Sequence, residues 1–314
     1  MNIILFGYSG LIGSYILKDL AKQIKKKNFK IICVSRTIKY KPFINKKIKY
    51  VKWDFLNFSK SRLFFFEKKN IVINCIGKNY GNSKNLKNIN QVFVKRLSDY
   101  IQINKIITHL IHLGSVSVYS VTKKNYNVCK NITENSKIRF NNFYSKSKFE
   151  ADMIIKDTQK NNKYFFYTIL RITNVFTYLK NSNAFLFIRF LLKKGIWFKY
   201  SNNTRYHFIH AKDVASAVSL CAFNPKISRN KIYIVSDDNN QSELHEIYAK
   251  NYKINLLIIP ISLRLIKFIT KYFFLPKKIQ NLFFTISSEI NYDNRKIKKE
   301  LDFKTTNSLK QKII

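Results

Sequence analysis

The chain reads as an α/β protein, a doubly wound parallel sheet with a smaller C-terminal lobe, and three observations predict this. Short apolar runs alternate with helical patterns through the first half; the runs are apolar throughout, as in strands buried on both faces; and a glycine cluster separates the first run from the first helix. The first strand is "NIILF" (2–6), and the helix after it is "LIGSYILKDLAKQI" (11–24). Strands two, three and four are "KIICVS" (30–35), "IKYVKWD" (48–54) and "IVINCIG" (71–77). A helix around residues 88–103 leads to "HLIHLGS" (109–115), the fifth strand. After a polar loop, a helix from about Tyr144 precedes "YFFYTILRI" (164–172). Beyond Arg171 the pattern loosens, with "FLFIRFLLKKG" (185–195) and "AKDVASAVSLCAF" (211–223) as helices and "KIYIVS" (231–236) as a strand. With no repeat and no Gly/Ser linker, residues 1–170 form one domain and 171–314 a lobe interleaved with it rather than an independent unit.

The formal charge of +41 points at first to nucleic acid or an anionic membrane. Only ten of the 58 basic residues are Arg, however, and the lysines are dispersed among abundant Asn, Ile, Phe and Tyr. That is the signature of A/T-rich codons written over a whole surface, so a solvated surface is preferred to a specific nucleic-acid site. An anionic substrate would still be drawn in from a distance. Cysteines 33, 75, 129 and 221 form no CxxC pair and have no histidine at zinc-ligand spacing, which implies reduced thiols and a cytoplasmic setting with no metal. The first apolar run ends at a glycine turn, not at a small-residue cleavage site, so it reads as no signal peptide. The longest apolar stretch, "LLIIPISLRLIKFITKYFFL" (256–275), carries Arg264, Lys267 and Lys271 on one helical face. It is expected to be an amphipathic helix over a core and not a transmembrane segment.

"GYSGLIG" (7–13) holds three of the chain's seven glycines. Between a strand and its helix, Gly7, Gly10 and Gly13 suit a tight turn with close backbone approach to a phosphate. Ser9, Leu11 and Ile12 lie in the same loop, and the helix behind offers free N–H groups and a positive dipole end. A purely structural strand–glycine–helix turn would look the same. At the end of the second strand, where a carboxylate would hold an adenosine ribose, stand Ser35 and Arg36. With no carboxylate to repel a 2′-phosphate and an arginine to pair with it, NADP(H) is favoured over NAD(H). Asp54, after the third strand, is placed either to reach an adenine amino group or to cap the strand.

Tyr144 and Lys148 form Y-x-x-x-K at a helix start, one turn apart on one face. A free phenol, with a pKa of about 10, is a poor base near neutrality, and a neighbouring ammonium is expected to lower that value. Tyr144 could then exchange a proton with a substrate hydroxyl or carbonyl. Ser115 stands at the carboxyl end of the fifth strand, where open α/β sheets bind ligands, and could hydrogen-bond the reacting oxygen. Ser117 competes for this role, and Ser115 is preferred on position; either could simply cap the strand.

Taken together these motifs resemble those of the extended short-chain dehydrogenase/reductases, the NAD-dependent epimerase/dehydratase family, over nearly the whole chain. "GYSGLIG" is similar to the cofactor loop, "WDF" (53–55) to the adenine contact with Asp54 and Phe55, and "INCIG" (73–77) to the segment passing the nicotinamide ribose, with Cys75, Ile76 and Gly77. Asn90 matches the helix asparagine, "GSVSVYS" (114–120) the catalytic-serine segment and "YSKSK" (144–148) the Tyr/Lys pair. "RITNVF" (171–176) resembles an R-P-x-N-V-Y turn, with Ile172 in place of proline. "YHFIHAKDVASAV" (206–218) and "DNRKIKKELDF" (293–303) resemble later family segments.

The resemblance implies a Rossmann domain binding NAD(P), a lobe binding a nucleotide-linked sugar, and 4-epimerase or 4-keto reductase chemistry. It casts Tyr144 as acid/base, Lys148 as the group that lowers its pKa and holds the nicotinamide ribose, and Ser115 as the group that positions the substrate oxygen. Asn174 and Arg205 become candidate substrate contacts, with a helix cap and a surface charge as their structural alternatives. The family's dehydratases carry Thr-Asp-Glu where this chain has Ser115-Val116-Ser117, which argues against water elimination. The resemblance also implies a homodimer packed through the helix bearing Tyr144. A non-catalytic member serving as an assembly subunit is the alternative function.

Overall fold

The computed structural model describes residues 1–38, 41–54, 66–119, 131–140, 142–177, 190–199, 201, 203–237, 239–260, 262 and 289–306. Seven strands form one parallel sheet: β1 (Asn2–Phe6), β2 (Lys30–Ser35), β3 (Ile48–Lys52), β4 (Lys69–Asn74), β5 (Ile107–Ser115), β6 (Phe165–Ile172) and β7 (Lys231–Val235). Their spatial order is β7-β6-β5-β4-β1-β2-β3. The order reverses between β1 and β4, the topological switch at which such sheets open a crevice beyond their carboxyl ends. β7 comes from the C-terminal half, so the chain returns to complete its own sheet.

Continuous apolar runs become central strands because both faces of the sheet are covered: β1 is buried at every position. On one face α1 (Leu11–Gln23) packs against α5 (Ala211–Phe223), with Ile16, Leu17 and Leu20 meeting Val214, Val218 and Cys221. The Ser219 hydroxyl donates to Asp19 Oδ2 at 2.5 Å across this contact. On the other face lie α2 (Ser83–Lys87), α3 (Phe93–Ile103) and α4 (Phe143–Lys160), with Phe93, Leu97, Ala151 and Ile155 against Phe6, Leu110 and Ile169. The one helix expected around residues 88–103 is thus longer, and a π turn at Asn88–Val92 joins α2 to α3.

The later segments build a small aromatic core from Phe176, Trp197, Tyr206, Phe208, Leu244 and Tyr248, the last two on α6 (Gln241–Tyr252). Two expectations change here. The start of the presumed amphipathic helix is a strand, Leu257–Pro260, paired in parallel with Ile196–Lys199, a strand the sequence reading omitted. Adjacent Ile258 and Ile259 before Pro260 favour extended backbone, and a short apolar run does not by its period separate strand from helix. Residues 261 and 263–275 of that stretch lie outside the described residues, as do 185–189 of the helix expected at 185–195. α7 (Arg295–Leu301) returns Ile297 and Leu301 to the first core. Among the described residues no helix is long and apolar enough to cross a membrane, no cluster of His, Cys, Asp and Glu could hold a metal, and Cys33, Cys75 and Cys221 are free thiols.

Candidate active site

The glycine loop closes on itself for steric reasons. Gly7 adopts φ +80°, a backbone conformation that side chains disfavour, and its carbonyl accepts from Gly10 N at 3.0 Å. A Cβ on Gly13 would stand 2.1 Å from that same carbonyl oxygen, so the helix starts against the turn with no room for a side chain. A Cβ on Gly7 would meet the Cys75 carbonyl at 3.2–3.3 Å, which brings the loop against the segment that leaves β4. Gly10 caps α1 without a side-chain hydrogen bond, and Ser9, Gly10 and Leu11 are exposed. The first-turn N–H groups are therefore presented at the crevice, and this cradle fits a pyrophosphate.

Across the crevice, Ser35 closes β2 with its hydroxyl donating to Thr37 O at 2.7 Å, and Arg36 follows on the surface. Asp54 is half-buried just past β3; Phe55 lies outside the described residues. After β4, Cys75 N donates to Phe6 O and Ile76 N to Asn74 Oδ1, which fixes the 75–77 segment over the switch. Asn90, buried in the π turn, accepts from Lys78 N at 2.9 Å and donates to Lys78 O and to Ser147 Oγ. The wide turn thereby ties this segment to α4.

Tyr144 is in the first turn of α4, and that turn is fixed by a capping box: Ser145 N donates to Asn142 Oδ1 at 2.8 Å, and Asn142 N to Ser145 Oγ. Ser115 ends β5, accepts from Ser117 N at 3.2 Å and shares a side-chain hydrogen bond with the Tyr144 hydroxyl. One turn further along α4, the buried Lys148 ammonium donates to Leu113 O at 2.7 Å and stands where a Cβ on Gly77 would be 3.3 Å away.

The electrostatics differ from the sequence expectation. Burial raises the Tyr144 phenol above its ordinary value, and the lowering influence is the Ser115 hydrogen bond. Lys148 spends its charge on a backbone carbonyl, and burial takes it down to about 8, with Asp152 pulling the other way. Burial thus favours the neutral phenol at Tyr144 and brings Lys148 nearer its neutral amine.

Asn174 is exposed two residues past Ile172, the register partner of Ser115, in a short strand (Asn174–Phe176) parallel to Phe208–His210. Arg205 is half-buried on a neighbouring strand, Arg205–Tyr206, paired antiparallel with Asn239–Asn240. The two are linked through His207, whose carbonyl accepts from Asn174 N and whose ring is lowered to about 4 by burial and by Arg205. Elsewhere in that segment His210 and Asp213 have structural partners: His210 Nδ1 accepts from Lys212 N, and Asp213 accepts from Thr306.

The sequence model of the NAD dependent epimerase/dehydratase family matches residues 3–236. The chain belongs to that family. Solved structures share the fold across almost the entire chain at low identity. A UDP-glucuronic acid 4-epimerase from Bacillus cereus in complex with NAD is 14% identical, with 99% of this chain and 95% of that one covered at a TM-score of 0.70. A UDP-Glc/GlcNAc 4-epimerase from Campylobacter jejuni is 16% identical (99% and 96%, TM-score 0.70). A dTDP-glucose 4,6-dehydratase from Bacillus anthracis in complex with NAD is also 16% identical (99% and 93%, TM-score 0.66). A search of curated protein sequences finds no match.

The sequence reading of this family site overlooked Asn142, which sets the start of α4, and Asp152 and Arg171 as an ion pair behind Lys148. The N-x-x-S cap and the four-residue step from Lys148 to Asp152 were both visible as spacings.

Proposed function

We propose that the protein is an NAD(P)-dependent epimerase or reductase acting at a hydroxyl or keto carbon of a nucleotide-linked sugar, of the 4-epimerase or 4-keto reductase type. The observation that carries this reading is the convergence of Ser115, Tyr144 and Lys148 at the carboxyl ends of β4 and β5, beside Gly77 and the glycine loop. When bound, a nicotinamide dinucleotide supplies the hydride chemistry. Gly7, Ser9, Gly10, Leu11, Ile12 and Gly13 would hold its pyrophosphate, and Arg36, Asp54 and Phe55 its adenosine end. Cys75, Ile76, Gly77, Asn90 and Lys148 would flank its nicotinamide ribose.

Ser115 holds the reacting oxygen, and Tyr144 gives or takes the proton at its hydroxyl. Because burial favours the neutral phenol, ionisation at Tyr144 requires positive charge to approach it, and the Lys148 ammonium is the cation on the same helical face. Val116 and Ser117 offer no carboxylate for water elimination, so dehydration is not part of the proposal. Asn174 and Arg205 are proposed to meet the nucleotide sugar, and a homodimer paired through α4 accompanies the reading.

Arg36 supports NADP(H), whereas the two NAD complexes cited above contain the other cofactor. Fluorescence titration with NADPH and NADH decides between them, and Arg36→Ala should weaken NADPH selectively if the arginine meets a 2′-phosphate. A panel of nucleotide sugars followed by NMR for change at C4 then tests the reaction. Cofactor binding with no turnover across the panel, and a cellular role unaffected by Tyr144→Phe, would instead establish an assembly subunit.

A further inference from the structure

We propose that Asp152 is a positioning residue of this site: fixed by Arg171 beneath Gly114, its carboxylate keeps the Lys148 side chain charged and seated on the Leu113 carbonyl. The inference rests on the reading of Lys148 as part of the active site. Three observations lead to it. Asp152 follows Lys148 by one turn of α4, and both side chains are almost wholly withdrawn from solvent, at 1% and 5% exposure.

Arg171, on β6, donates through Nε to Asp152 Oδ2 at 3.0 Å and forms an ion pair with the same oxygen through Nη2 at 3.0 Å, while Oδ1 is buried with no hydrogen-bond partner among the described residues. A Cβ on Gly114 would come within 3.4 Å of that Oδ1, an ordinary contact distance, which places the carboxylate against β5 at Gly114. The same short stretch of β5 supplies the Leu113 carbonyl that accepts from Lys148 and the Ser115 hydroxyl joined to Tyr144. The ammonium's acceptor, the glycine beside the carboxylate and the serine are therefore three consecutive residues of β5. Arg171 is itself held by the Tyr119 hydroxyl and by the face of the Tyr119 ring, and that hydroxyl donates on to Glu134 O.

A buried ion pair contributes little net stability compared with apolar residues of similar volume, so the fold alone gives weak reason for this pair. The electrostatic reason is stronger. Burial depresses Lys148, and of the groups around it Asp152 is the one whose negative charge offsets this most. The other titratable and charged neighbours do less or act in opposition. Just past β4, Cys75 stays a thiol because burial raises it. On β5, His112 stays neutral because burial and Lys148 both lower it. On α4, Tyr144 is held neutral by burial, and Lys156 acts on Asp152, as Arg171 does from β6. Tyr167, also on β6, is raised by burial and by Asp152.

The test is a titration of the full-length protein carrying 13C-labelled lysine side chains, with the Lys148 signal assigned by its loss in Lys148→Arg. Asp152→Asn should lower the Lys148 pKa by at least about one pH unit, and the alkaline limb of kcat/KM should move down by the same amount. Asp152→Glu, which keeps the charge, should restore both. Because Asp152→Asn leaves Arg171 buried without its partner, the double variant Asp152→Asn/Arg171→Met, which removes both charges, is measured alongside it. An unchanged Lys148 titration in either folded variant overturns the proposal. A shifted titration in a protein that turns over no nucleotide sugar would keep the electrostatic role of Asp152 while removing the enzymatic reading, so the two failures are distinguishable.

Discussion

Gly13→Ala isolates the steric logic of the glycine loop in one methyl group. The added Cβ would lie 2.1 Å from Gly7 O and 2.9 Å from both Gly7 C and Tyr8 Cα. An ordinary contact begins near 3.4 Å, so α1 and the turn must separate by more than 1 Å. All three clashing atoms belong to backbone, which cannot rotate out of the way. Overpacking of this kind costs about 1–3 kcal/mol. Moving the Gly7 carbonyl also endangers its hydrogen bond from Gly10 N, worth about 1 kcal/mol. A total near 3 kcal/mol corresponds, for a chain of this size, to a fall in Tm of roughly 5 °C.

The same displacement disrupts the N–H cradle, so NAD(P)H should bind at least about tenfold more weakly, the equivalent of about 1.4 kcal/mol. Gly10→Ala is the control. Its Cβ would lie 3.3 Å from Gly7 O, and its φ of −77° suits any residue, so its Tm should fall by less than about 2 °C. Differential scanning calorimetry and cofactor fluorescence measure both variants. Equal melting temperatures and equal affinities for the two would refute the packing described for the loop.

Three other outcomes are expected. Tyr144→Phe should lower kcat by about 10²–10⁴-fold with cofactor affinity nearly unchanged, measured by steady-state kinetics beside a binding titration. Asn142→Ala removes the cap of α4 and should cost about 1 kcal/mol in urea unfolding; because Tyr144 sits in that first turn, kcat should fall as well, and an unaltered kcat would separate the cap from the site. The buried rings of His109 and His245 are both lowered to about 3, by burial first and then by Arg229 and Lys199 respectively. Unfolding frees them to protonate near pH 6.5, so their contribution is complete above that value and declines as pH falls toward 3, by up to about 1.4 kcal/mol per pH unit for each ring. Thermal melts between pH 7 and 5 should show the decline, and His109→Gln should reduce its slope.

The central sheet was legible in the sequence because burial on both faces demands unbroken apolar runs, and β1 and β2 carry such runs, IILF and IICV. The smaller lobe was less so. Its strands, such as Ile196–Lys199 and Leu257–Pro260, are four residues long with mixed burial, and in so short a run strand and helix periods coincide. The serine, tyrosine and lysine were singled out by their position after the fifth strand together with their spacing, whereas the charge states of the tyrosine and lysine were not legible. Spacing places Lys148 beside Tyr144, but it carries no information on how much water either group loses, and burial is the larger influence on both.

The amino-acid order by itself determined that a strand, a side-chain-free turn and a helix would follow one another at residues 2–23, and that a phenol and an amine would share a helical face. Those are local consequences of sterics and of 3.6 residues per turn. Only the tertiary structure decided that Asp152 and Arg171, from different elements, meet beneath Gly114, that Lys148 is bound to Leu113, and that the phenol is raised rather than lowered. Desolvation and pairing across 19 residues of sequence depend on which elements the fold packs together, and no local pattern specifies that.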